Sequence, residues 1–165
     1  MKKSFYLITC CLLAGSMSFI SCKDEDEFTI ENKAVSGDLV FVRTAFIPLT
    51  FDSTGMIPLS AQITMEGNGT VSDIGDVLFA TTFKIDLVLG MGYDFVTTYT
   101  GSSPGDVFSS TGTSQVQPNG SFLVVDNLGS GTGKFSKMSG DGFTTVLLNL
   151  TQDAGTATMA WTVTY

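Results

Sequence analysis

Few residues in this chain could do proton or ligand chemistry. There is no histidine, which removes the commonest general base and the commonest metal ligand. Asp73 and Asp76 flank Ile74-Gly75. Such a carboxylate pair can bind calcium or work as acid and base. Calcium, however, needs more oxygen ligands than this stretch supplies, and a solvated turn explains the pair as well. Lys84 and Asp86 stand two apart, so they share one strand face. They read as an outward pair on a surface or, if that face turns inward, as a polar anchor in an apolar cavity. "GSGTGKFS" superficially looks like a phosphate loop and fails the test. Leu128 and Phe135 stand where glycine and Ser/Thr are needed, and no helical pattern follows. No Ser-His-Asp set and no zinc-ligand spacing exists. The residues therefore lean toward a non-catalytic protein with no metal and no cofactor.

The remaining candidates are apolar. Phe79, Phe83, Tyr93, Phe95, Tyr99, Met159 and Trp161 either fill a core or line a ligand cavity. The elements that carry them alternate, which is the period of a half-buried strand rather than a helix. Ala157, Met159, Trp161, Val163 and Tyr165 fall on one face of the last segment. Val77, Phe79, Thr81, Phe83, Ile85, Leu87 and Leu89 make another row. Similar strands are expected at about 38–51, 59–71, 93–100, 106–117, 120–128, 130–137 and 143–151. Turn signals separate them, among them Asp52-Ser53-Thr54-Gly55, Pro118-Asn119-Gly120 and Gly140-Asp141-Gly142. Eight or nine short antiparallel strands predict an all-β domain, a sandwich or an eight-stranded antiparallel up-and-down barrel. A barrel leaves no open edges in a chain this rich in Val, Thr and Phe. Its interior is filled by side chains or holds one small ligand.

The N-terminus supplies an address. Lys2 and Lys3 precede a mostly apolar run to Ile20, too short and wrongly flanked for a membrane span. "FISC" at 19–22 resembles the lipobox of bacterial lipoproteins, with Phe19 where leucine is usual. The resemblance implies cleavage before Cys22 and acylation of it, so residues 1–21 are a lipoprotein signal peptide. Cys10 and Cys11 leave with it, and Cys22 is then the sole cysteine of the mature chain. Two or more acyl chains anchor a protein stably. Lys23, Asp24, Glu25, Asp26 and Glu27 follow, a solvated tether on charge alone. The run also resembles the surface-export signal of Bacteroidetes lipoproteins, which implies an outer-membrane protein facing the cell exterior, the inner leaflet being the alternative. The tether is expected over 22–36 and the barrel domain over 37–165.

"GSGTGKFSKMSGDGF" resembles a glycine-rich stretch late in allene oxide cyclase-like and dirigent-like barrels, and "MEGNGTVSDIGDVLFATTFKI" resembles a segment of small bacterial proteins with that barrel. The resemblance covers roughly 60–165 and implies a soluble calycin-like barrel. The matching Gly67, Gly69, Gly75, Gly131, Gly133, Phe135, Gly140 and Gly142 are structural. Small bacterial relatives often carry histidine where Asp73 and Ile74 stand, so its role is missing in this chain. Related barrels often dimerise, so a dimer is one expectation.

The chain carries 16 acidic and 8 basic residues, a net charge of −8, and the two bases of the signal leave on processing. This acidity excludes nucleic acid as a partner and argues against docking on anionic lipid. The expectation is a lipid-anchored cell-surface barrel that binds a small apolar or amphipathic ligand or an outer-membrane protein partner. The alternatives are an isomerase or cyclase that acts by shaping its substrate, and an accessory subunit with a filled barrel. A membrane-embedded barrel is a further alternative, since the chain ends in aromatic Tyr165 after perfect alternation.

Overall fold

The computed structural model describes residues 31–149 and 153–165. Cys22 and the charged run Lys23 to Glu27 lie outside the described residues, as does the signal segment. Eight strands follow one another: β1 Lys33–Phe51, β2 Pro58–Val71, β3 Gly75–Asp86, β4 Met91–Thr100, β5 Val107–Val116, β6 Phe122–Gly129, β7 Ser139–Asn149 and β8 Ala154–Thr164. Each pairs antiparallel with its sequence neighbour, and β8 returns to β1, so the sheet closes into an up-and-down barrel. The barrel closes entirely within residues 33–164, so the closed sheet and the core found among the described residues are self-contained within 31–165.

Closure follows from the alternation. Val35, Leu39 and Phe41 of β1 point inward with Ala157, Met159, Trp161 and Val163 of β8, and all are buried. β3 adds Val77, Phe79, Phe83 and Ile85 to the same core. Its row stops at Ile85, because the strand ends at Asp86; Leu87 and Leu89 belong to an exposed turn. β1 starts at Lys33, inside the span expected to be tether: Val35 pairs with Trp161 and is only 3% exposed. The outer wall carries many threonines and the exposed acids Asp38, Glu66, Asp76 and Asp141. The same wall exposes Val40, Leu78, Val96, Phe143 and Leu147, but the interior of Phe, Met and Trp differs from the polar lumen of a membrane barrel.

One expected strand, 130–137, is absent. Gly133–Phe135 form a single 3-10 turn in the loop between β6 and β7. A side chain at Gly131 would run into the Val107 carbonyl, so glycine lets this loop press onto β5. The loop plugs one end of the barrel. Phe135 is fully buried against Phe108 at 4.8 Å and Tyr165 at 5.3 Å between ring centres. Gly67 has the same use in β2, where a Cβ would strike the Val40 carbonyl and the Phe79 ring. The space a side chain would take at Gly67 and Gly131 is thus occupied by neighbouring strands.

The opposite end is less tidy. Pairing of β1 with β8 ends at Val42↔Ala154, while pairing of β1 with β2 continues to Phe51↔Pro58. Among the described residues, 44–51 therefore have a strand partner on one side only, and the β1–β2 hairpin runs past the start of β8. Three register shifts and Pro48 interrupt this free edge, features that discourage further strand addition.

Candidate functional site in the barrel interior

The inward face of β6 reads Val124, Asp126, Leu128. Asp126 is the only charged residue among the described buried ones, 3% exposed. Its neighbours on the sheet supply donors. Ser110 of β5 gives its hydroxyl to Oδ1 at 3.2 Å. Thr144 of β7 gives its hydroxyl to Oδ2 at 2.5 Å, and the Trp161 indole N–H of β8 reaches the same oxygen at 3.2 Å. Three donors from three strands thus converge on one carboxylate. Burial raises the Asp126 pKa above the ordinary 3.8, and the bonds from Thr144, Trp161 and Ser110 oppose that rise.

Tyr99 of β4 lies beside this cluster. Burial chiefly raises its phenol pKa, and the Asp126 charge adds to the rise. Its ring stacks on Phe108 at 4.8 Å and meets Trp161 edge-on at 5.4 Å. Thr81 of β3 and its register partner Thr97 of β4 hydrogen-bond to each other on the inner face of the wall. Thr81, Thr97, Tyr99, Asp126 and Thr144 surround a cavity of about 30 Å³ whose other walls are apolar, including Leu39, Met65, Phe79, Phe95 and Val146. That volume admits one or two groups of water size. Phe95 stands at its edge, stacked on Phe83 at 4.3 Å, and also lines an open outer groove with Asp94, Gly112 and Val125. The groove lies where β4 and β5 part, since their pairing stops at Phe95↔Gly112.

Of the aromatic and Met candidates, Phe79, Phe95 and Tyr99 line the cavity, while Phe83, Met159 and Trp161 are buried around it. Tyr93 is a correction. It is 39% exposed and points outward. Asp94, at φ 55°, inserts an extra residue opposite Phe83. This bulge makes Tyr93 and Phe95 fall on opposite faces although they are two apart.

The charged candidates all lie at the surface. Lys84 reaches Asp94 at 2.9 Å, and Asp86 accepts the N–H groups of Val88 and Leu89. Asp73 pairs with Lys33 at 2.7 Å, and Asp76 accepts from Thr70. No group of three or more metal-ligating side chains occurs among the described residues. Asp126 has no carboxylate beside it to signal a pair in the sequence, although its spacing from Val124 and Leu128 already puts it on an apolar face.

No family model, curated protein or solved structure matches this chain.

Proposed function

We propose that this is a lipid-anchored outer-membrane protein, held through Cys22 and displayed at the cell surface, whose barrel binds a small amphipathic molecule without transforming it. The observation that carries the ligand reading is Asp126: the one carboxylate in the wall of a largely apolar cavity that it shares with Thr81, Thr97, Tyr99 and Thr144. That is the usual economy of a small-molecule site, apolar contact for affinity and a few polar groups for orientation. The ligand's polar end is a hydrogen-bond donor or a small cation seated on Asp126. Its apolar end lies toward Met65 and Phe95. Anything larger than the present cavity enters by displacing Phe95 into the groove between β4 and β5. The calycin-like resemblance supports the same reading.

Native mass spectrometry of the barrel, released by protease from the host's outer membrane, tests it. The expected result is a bound mass that disappears on denaturation and is absent from Asp126→Asn. A bare protein mass in both would overturn the ligand reading and leave the filled accessory subunit.

A second reading has its own observation. Tyr99 and Asp126 are two ionisable groups at one cavity, and a carboxyl with a raised pKa suits proton transfer. Under that reading the barrel is an isomerase, and the ligand recovered is a mixture of two isomers.

A further inference from the structure

The least expected surface is the end of the barrel opposite Lys33. Two turns project there side by side, joined by the Leu87 N–H donating to the Leu59 carbonyl at 2.9 Å. Their apolar side chains stand in the open: Met56 is 83% exposed, Ile57 61%, Val88 70% and Leu89 68%. Phe46, Ile47, Leu49 and Phe51 extend the patch along β1, each more than a third exposed. A cluster of exposed apolar side chains at one end of a fold marks an interaction site.

We propose that this tip docks into the surface of an uncharged lipid bilayer.

Its charge fits that occupant. Residues 44–60 and 85–93 contain no lysine or arginine, and Asp52 and Asp86 are their only acids; the cations at the border, Arg43 over the Phe46 ring and Lys84, are paired with Asp153 and Asp94. Both carboxylates are engaged by their own turns. Asp52 accepts the Thr54 hydroxyl and the Met56 and Ile57 N–H groups; Asp86 accepts those of Val88 and Leu89. The Met56, Ile57, Val88 and Leu89 N–H groups are thereby satisfied within their own turns, which lowers the cost of moving the two turns out of water. A partner protein would more usually meet Trp, Tyr or Arg anchors, whereas this tip is mostly aliphatic.

Chain length sets the orientation, and this step rests on the proposed anchor at Cys22. Residues 22–32 reach about 36 Å when extended. β1 runs about 60 Å, and with the usual strand tilt it rises about 45 Å along the barrel axis. A barrel standing on its tip would lift Lys33 beyond the tether's reach. The barrel therefore lies along the membrane, with the lipid at one end and the tip at the other.

The test is cosedimentation of residues 31–165, which carry no lipid, with phosphatidylcholine vesicles. Binding is expected, insensitive to salt and no stronger when phosphatidylglycerol is added. Ile57→Asn with Val88→Asn should weaken it at least tenfold with an unchanged melting temperature. Leu78→Asn, on the outer wall, should leave it intact. Failure to cosediment would overturn the proposal, as would a dimer in light scattering abolished by the same pair of substitutions, which would assign the tip to a second copy. Since no lipid is attached, the result stands apart from the fate of the Cys22 reading. Acylation of Cys22 in the host tests that separately.

Discussion

The Trp161 indole N–H donates to the Asp126 carboxylate at 3.2 Å, linking β8 to β6 past the intervening strand β7. With Thr144 on β7 and Ser110 on β5, Asp126 ties four consecutive strands together from inside. Asp126→Leu removes the acceptor and leaves three buried donors. Each unsatisfied group costs about 1–3 kcal/mol, so a loss of at least about 3 kcal/mol is expected in urea unfolding. A loss below about 1 kcal/mol would show that the three donors find other acceptors.

Asp126→Asn isolates the charge. Burial raises the folded pKa above the unfolded value near 3.8. The folded chain therefore keeps a proton that the unfolded chain has already released. The associated stability is fully present below the ordinary carboxylate range and is lost as pH rises through the raised value. The asparagine variant does not titrate there. Wild type should lose melting temperature relative to Asp126→Asn as pH climbs from about 4 toward neutrality. A gap that stays constant across that window would place the Asp126 pKa at its unperturbed value.

The plug should be as important as any strand. Phe135→Ala opens a void between Phe108 and Tyr165, and large core truncations of this type cost about 3–5 kcal/mol. Gly131→Ala acts by overpacking, pushing the loop off β5 at a cost of about 1–3 kcal/mol. Calorimetry of both variants measures this. A Gly131→Ala protein as stable as wild type would mean that the loop is free to lift.

The proposed anchoring and the proposed display are tested by different variants. Cys22→Ser should abolish incorporation of labelled palmitate and release the protein from the membrane fraction. Replacing Lys23 to Glu27 with serines should keep acylation but remove accessibility to protease on intact cells. Unchanged accessibility would place the export information elsewhere.

Strand alternation made most of the barrel readable. In β8 every expected inward residue from Ala157 to Val163 is buried, and Tyr165 beyond it is too. What alternation could not reveal was any place where the backbone departs from it. Gly129, Gly131 and Gly133 sit two apart and imitate a strand face, yet Gly133 has φ +59° and begins a 3-10 turn. The left-handed Asp94 sends Tyr93 outward. Asp126 was legible in principle, because Val124 and Leu128 share its face. The tip was not, since its residues look like ordinary strand interior until β8 is seen to end beside Val42.

β1 meets its second neighbour only in β8, through the ten pairs from Lys33↔Val163 to Val42↔Ala154. During synthesis the first strand must therefore wait for the last. Until β8 is available, the sheet has two open edges and no closed interior to bury Asp126. Closure is thus postponed until the last strand joins the first, and a chain that stops before β8 has no partly closed barrel to fall back on.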